Sequence, residues 1–179
     1  MVQLRDPSLD GDALLEAAVR LGAACREHGA LFWVNDRPDL ALRAGADGVH
    51  VGQDDVPVEH IREDLGDELL IGLSTHSPQQ LAAGIEAGAD QLSVGPVWET
   101  PTKPGRPAAG LGYVRAAAEA RPPVPWFAIG GIEERNVAEV VRAGAKRIVV
   151  VRALRAARDP FAAARALRAA LEVRVGAAQ

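Results

Sequence analysis

Of the 179 residues, 48% are hydrophobic and 25% charged, which excludes a disordered chain and supplies enough apolar surface for one domain with its own core. The formal net charge of −4 leaves no basic footprint for nucleic acid. No apolar run is long enough to span a bilayer, and residues 1–6 lack a signal-peptide hydrophobic segment. The single cysteine, Cys25, shares helical spacing with Leu14, Ala18 and Leu21, the pattern of a buried structural thiol. These features predict one domain over residues 1–179, cytoplasmic, as a monomer or small homo-oligomer.

Short β-branched runs alternate with helical stretches rich in Ala, Leu, Glu and Arg. Strands are predicted over 2–5, 31–35, 48–51, 69–74, 91–95, 126–130 and 147–151, with amphipathic helical patterns between most of them, as over 10–29 and 133–146. That alternation argues for a parallel sheet with helical crossovers. Three helix exits repeat, Ala44-Gly45-Ala46-Asp47, Ala87-Gly88-Ala89-Asp90 and Ala143-Gly144-Ala145-Lys146, each just before a strand. Glycine suits the left-handed position that ends a helix, so one βα unit is being reused.

Within the strands, small or polar residues occupy one face and bulky apolar residues the other. Gln3 and Arg5 oppose Val2 and Leu4; Gly48 and His50 oppose Val49 and Val51; Gly72 and Ser74 oppose Ile71 and Leu73. Ser93 and Gly95 oppose Leu92 and Val94, and Ala128 and Gly130 oppose Phe127 and Ile129. An open doubly wound sheet makes both faces apolar, whereas a closed barrel has a narrow interior with polar side chains near its mouth. The expectation is an α/β fold of the (β/α)8 TIM-barrel class. Seven strands are read, so the chain is expected to lack the first βα unit.

The sites of such barrels gather at the C-terminal ends of the strands. Here those ends carry Arg5-Asp6, Asn35-Asp36, Gln53-Asp54-Asp55, Ser74-Thr75-His76, Thr100 to Lys103, Gly130-Gly131 and Val151-Arg152. Asp36 and Asp55 follow neighbouring strands and suit either Mg²⁺, which keeps waters and bridges to phosphates, or the capping of the helices that follow. Gly130-Gly131, with a helix expected from Glu133, reads as a backbone phosphate cradle or as a tight turn. Ser74 and Thr75 suit substrate binding or helix capping. His50 faces inward with no partner visible in the sequence, the pattern of a buried neutral histidine, and His76 fits either role. The segment 99–112 is longer than most strand-to-helix connections and holds Lys103, one of only two lysines, which marks it as a binding loop or lid.

In order and spacing, "VQLRD", "VNDRPDLALRAGADGVHVGQDDVP", "IGLSTHS", "VGPVWETPTKPG", "GLG", "FAIGGI" and "AGAKRIVVVRAL" resemble the thiamine-phosphate synthase family across essentially the whole chain. The resemblance implies a transferase that joins hydroxymethylpyrimidine diphosphate to hydroxyethylthiazole phosphate with release of pyrophosphate, by Mg²⁺-assisted dissociative displacement. It implies that Gln3, Arg5 and Asn35 bind the pyrimidine diphosphate, that Asp36 and Asp55 hold Mg²⁺, and that Ser74 contacts the pyrimidine substrate. Thr100 and Thr102 would contact the thiazole phosphate, Lys103 the diphosphate, and Gly131, Val151 and Arg152 would complete the thiazole-phosphate site. Arg5 and Lys103 would stabilise the departing polyanion. A dissociative displacement needs no strong base, which suits a chain without Cys/His or Ser/His catalytic pairs.

Three departures from the family pattern stand out. Pro7 replaces a family lysine, Arg152 replaces a family serine, and the strand and helix that precede "VQLR" in the family are not in this chain. Three other functions are weighed, the last a generic sugar-phosphate barrel enzyme, which would not need the full motif order. A thiazole tautomerase-like isomerase of the same superfamily would need an acid or base near the thiazole and no diphosphate grip, which Gln3, Arg5 and "TPTK" argue against. A non-catalytic phosphate-binding relic of the barrel is disfavoured by both aspartates and Lys103.

Overall fold

A computed structural model describes residues 1–100, 105 and 107–172. Seven strands follow one another in sheet order: β1 (Val2–Leu4), β2 (Phe32–Asn35), β3 (Gly48–Val51), β4 (Leu70–Thr75), β5 (Gln91–Val94), β6 (Trp126–Ile129) and β7 (Ile148–Val149). Between them run α1 (Gly11–Glu27), α2 (Pro38–Arg43), α3 (Val58–Leu65), α4 (Pro78–Glu86), α5 (Gly110–Ala120) and α6 (Val137–Arg142). Two helices, α7 (Arg152–Arg155) and α8 (Pro160–Glu172), follow β7. The predicted strands are all present; β7 is shorter than the apolar run 147–151 suggests. Contacts cluster into two compact units, residues 1–74 with 83–91, and residues 75–82 with 92–179.

In the first unit, the repeated helix exit has a physical cause. Gly45 and Gly88 adopt φ of 62° and 82°. The residue after each closes a six-residue ring back to its helix, Ala46 N–H to Ala41 O at 2.9 Å and Ala89 N–H to Gly84 O at 3.1 Å. This is the Schellman arrangement, which satisfies carbonyls at a helix end and reverses the chain. The aspartate that comes next ties the exit to a strand. Asp47 donates its N–H to Phe32 O (2.8 Å) and accepts Phe32 N–H on its carboxylate (2.7 Å). Asp90 does the same to Ile71, at 2.8 and 2.7 Å. Arg62 reinforces the second stitch, pairing with Asp90 Oδ2 at 2.7 Å and donating to Gly66 O, Gly88 O and Leu69 O.

The parallel register of this unit pairs Gln3 with Trp33, Trp33 with Gly48, Asn35 with His50, and His50 with Gly72. Phe32, Val34, Val49, Val51 and Ile71 are buried on the opposite face. Phe32 meets α1 at Gly22, where a Cβ would fall 3.0 Å from its ring, so a side chain at 22 would make the ring give way by a few tenths of an ångström. Cys25 is buried on the same helix, the structural thiol its spacing suggests. Trp33 covers Gly48 and Gly72; a Cβ at either would lie 2.9 Å from its indole.

The second unit departs from the predicted pattern on β6. Its register pairs Phe127 with Ser93 and Ala128 with Val94, so Phe127, not Ala128, shares the polar face. Ala128 is wholly buried while Phe127 and Ile129 are half-buried. Residue size therefore misassigns this strand, because a small side chain is what the packed face admits here. Gly144, at φ 102°, repeats the Schellman exit with Ala145 N–H on Val140 O (3.2 Å), but Lys146 has no carboxylate for the stitch. A buried relay fixes the end of β4: Thr75 Oγ1 donates to Ser93 O (2.8 Å). Its one proton is thereby committed, so the Tyr113 hydroxyl is the donor in the 2.6 Å bond between Tyr113 and Thr75.

Two stability tests follow. Arg62→Ala should cost about 1–3 kcal/mol in urea unfolding, since it strips charge-assisted bonds from a half-buried clamp, whereas Arg168→Ala, which removes only the exposed Arg168–Glu172 pair, should leave the midpoint unchanged. Burial pushes the Tyr113 phenol above its ordinary value of 10.0. Its contribution is therefore intact below pH 10 and is lost as pH rises through the folded-state value, because the unfolded chain ionises first. Tyr113→Phe should cost about 1 kcal/mol at pH 7 and flatten the alkaline limb of the stability curve.

Candidate active site

The first unit brings three of the predicted binding residues to one cleft. Arg5, Asn35 and Asp36 line it together with Asp6 and Arg37, above an apolar floor that includes Leu4, Leu9 and Leu14, and it encloses about 170 Å³. Pro7 lies on the same wall, in a turn held by Ser8, whose N–H and Oγ both reach Asp6 Oδ1 at 3.0 and 2.6 Å. Gln3 lies two residues before Arg5, paired with Trp33 across β1 and β2.

Asp36 is held in a conformation an aspartate adopts only under constraint. Its φ is +61°, and Arg37 N–H bonds Asn35 O at 2.8 Å, closing a three-residue turn around it. The Asp36 amide donates to His50 O (2.8 Å), which anchors the turn to β3. A left-handed non-glycine residue of this kind costs on the order of 1–3 kcal/mol and clusters at functional sites.

Asp55 is placed at the end of β3 by a second local device. Its Oδ2 accepts Gly52 N–H at 2.7 Å, and Gln53 Nε2 donates to Ser74 O at 2.7 Å, tying that loop to β4. Neither aspartate caps a helix: the cap residues of α2 and α3 are Arg37 and Pro57, and neither makes a side-chain cap bond. The capping alternative is thereby set aside for both. Among the described residues no three His, Cys, Asp or Glu side chains form a metal-holding group, so these two carboxylates could hold a cation only with oxygen ligands from water or substrate.

Ser74 Oγ lies 2.9 Å from His50 Nε2. The histidine therefore has the partner that sequence reasoning did not find; 24 residues separate the two, and only the register of β3 on β4 brings them together. Ser74 and Thr75 do not cap α4. Ser77 does, with its Oγ accepting Gln80 N–H at 3.2 Å.

In the second unit, His76 Nδ1 bonds Gly95 O and its amide reaches Gln80 Oε1 at 2.8 Å. Gly130 and Gly131 have φ of 102° and 67°, and a Cβ at 131 would fall 2.8 Å from that of Trp98. Val97 and Trp98 donate their amides to Ile129 O and Gly130 O, so the glycines let two strand-end loops pack together. Helix α6 starts at Val137, not at Glu133; Asn136 bridges the gap, accepting Glu133 N–H and donating to Gly131 O. Val151 is the N-cap of α7 and Arg152 its first residue, with the guanidinium 3.9 Å from Glu133 and half-exposed. Thr100 is half-buried after β5. Thr102 and Lys103 lie outside the described residues.

Arg37, the bond from Gln53 to Ser74 O and the His50–Ser74 pair are the features sequence reasoning missed. "NDRPD" contains Arg37 in plain view, but its alignment with Arg5 depends on strand pairing.

A family model described as thiamine monophosphate synthase matches residues 1–154. The chain is 52% identical to a thiamine-phosphate synthase of Mycolicibacterium smegmatis over 96% of its own length and 79% of the relative's. It is 54% identical to one from Thermus thermophilus, over 94% and 81%. A solved structure of a thiamine phosphate pyrophosphorylase from Pyrococcus furiosus matches with a TM-score of 0.86 at 35% identity, over 95% of this chain and 81% of that one. The fold is thus of the α/β TIM-barrel class, the activity is that of a transferase of thiamine biosynthesis acting on small phosphorylated substrates, and neither the isomerase nor the relic finds support. The chain belongs to the thiamine monophosphate synthase family.

Proposed function

We propose that the chain joins hydroxymethylpyrimidine diphosphate to hydroxyethylthiazole phosphate, with the diphosphate leaving from the cleft lined by Arg5, Asn35 and Asp36. The observation that carries this assignment is the strained turn at Asp36: a carboxylate held at φ +61° at a strand end, with no helix to cap. Asp36 and Asp55 would hold Mg²⁺; their oxygen donors suit a hard cation that keeps several waters. A cation so held would supply charge neutralisation to the departing diphosphate.

The chain's own residues supply the rest. Arg5 balances leaving-group charge from the cleft wall, and Asn35 orients the diphosphate beside it. Ser74, fixed by His50, presents its hydroxyl to the pyrimidine substrate, and Gln3 contacts the same substrate. Thr100, Thr102, Gly131, Val151 and Arg152 bind the thiazole phosphate, and Lys103 adds charge to the diphosphate. Because the leaving group departs before the thiazole nitrogen attacks, positioned charge and exclusion of water replace a general base. No described helix is long and apolar enough to cross a membrane; a cytoplasmic location and a small homo-oligomer are part of the same reading.

Two measurements test it. With both phosphorylated substrates, the protein should form thiamine phosphate in Mg²⁺ and stop on addition of a chelator; turnover that continues in chelator removes the metal assignment. Asp36→Gly should lower kcat/KM by about a hundredfold or more, the scale of losing a charge-stabilising group. The same substitution should leave the protein as stable or about 1 kcal/mol more so, since glycine relieves the left-handed strain at a smaller entropic cost. A large loss of stability would mean the carboxylate is structural.

A further inference from the structure

We propose that Arg37 is a second diphosphate-binding cation of this cleft, acting beside Arg5. The proposal rests on the reading of the cleft as the diphosphate site. Arg37 lines the same space as Arg5, Asn35 and Asp36. Its backbone is fixed, because its amide closes the turn onto Asn35 O at 2.8 Å, while its side chain is 47% exposed. Pro7, on the same wall, brings no charge to a ligand that carries several negative ones.

The guanidinium is already oriented. Nε and Nη2 donate to Asp39 Oδ1 and Oδ2 at 2.8 and 2.7 Å, a two-pronged hold that uses two of five N–H donors and leaves three. The hydrogen bond from Arg37 keeps the Asp39 carboxyl below the usual carboxylate range, so the pair is ionised at any working pH. Yet Asp39 is 54% exposed, and an exposed ion pair contributes about 1 kcal/mol or less. The hold is firm enough to preorganise the fork and weak enough to yield to a polyanion, which two planar N–H groups match better than a point charge would.

The rival role is a local clip at the start of α2, in which Arg37 and Asp39 only brace each other. The two roles differ in sign at Asp39. Inorganic pyrophosphate in Mg²⁺ is the probe, titrated calorimetrically into the full chain, with KM measured for each substrate. Arg37→Gln should weaken pyrophosphate about tenfold or more, the worth of a charge-assisted bond. It should raise KM for the pyrimidine diphosphate in step and move KM for the thiazole phosphate less than about twofold. Asp39→Asn, which frees the guanidinium, should leave pyrophosphate binding equal or tighter. Arg37→Lys keeps the charge without the fork and should fall between parent and Arg37→Gln.

Pyrophosphate affinity unchanged in Arg37→Gln overturns the proposal, and so does Asp39→Asn weakening it as much as Arg37→Gln. Arg5→Gln separates this failure from a failure of the cleft reading. If Arg5→Gln weakens pyrophosphate and Arg37→Gln does not, the cleft stands and Arg37 is a clip. If neither does, the diphosphate lies elsewhere and both fall.

Discussion

Asp47 and Asp90 each come two residues after a left-handed glycine, and each places its carboxylate on the backbone amide of a strand that precedes it in the chain. A strand slipped by one residue would exchange its faces, because side chains alternate with a period of two. The aspartate forbids that slip: the amide its carboxylate accepts and the carbonyl its own N–H donates to both belong to Phe32 in one case and Ile71 in the other. Each helix therefore delivers its strand in one register only. With register fixed, Trp33, Gly48, His50 and Gly72 fall on one face, and the bulk of Trp33 is accommodated by the two glycines beneath it.

The site is a consequence of that face. Asn35 pairs with His50, and one step beyond each strand end the chain turns sharply, at Asp36 after β2 and at Gly52 after β3. Both turns present a carboxylate, by different means. Asp36 is held in a left-handed turn closed by Arg37 N–H on Asn35 O, and Asp55 reaches back to the Gly52 amide. Ser74 lies next along the same polar face, held by the histidine of the preceding strand. Groups just past a strand end stay close to the rigid ladder that carries them, so a repeat that looks merely architectural also fixes where the residues of the proposed site stand.

Much of this was legible in the sequence because it is local. The helix exits announce themselves as Ala-Gly-Ala-Asp, the strands as short β-branched runs, and the polar rim as the residues just past each run. Asp36 and Asp55 stood out for the same reason, although their geometry did not: a positive φ at an aspartate has no compositional signature. Pairings across strands were the blind spot. His50 looked solitary because Ser74 is 24 residues away, and β6 was turned over because Ala128 is small, whereas its face is set by pairing with Val94. Gly130-Gly131 read equally well as cradle or turn; the close approach of Trp98 accounts for the glycines by packing alone, so the pair is weaker evidence for phosphate than its motif implied.

The charges of the cleft carry one more consequence. Among the described residues that line it, Arg5 and Arg37 stand with Asp6 and Asp36, two positive groups with two negative, and Arg37 is itself paired with Asp39. A cleft built only to grip a diphosphate would be expected to carry excess positive charge, since uncompensated arginines raise both affinity and the rate of encounter. Balance makes sense if one of the carboxylates is reserved for a divalent cation. In the proposed reading, Asp36 and Asp55 would hold Mg²⁺, and the positive charge it would supply there favours the diphosphate. Metal and substrate would enter as a coupled pair, each favouring the other by the same factor. The thiazole phosphate, which the same proposal assigns to Thr100, Gly131, Val151 and Arg152, would not share that dependence. On that reading, the balance of charge along the lining would withhold the cleft from phosphates that arrive without the cation.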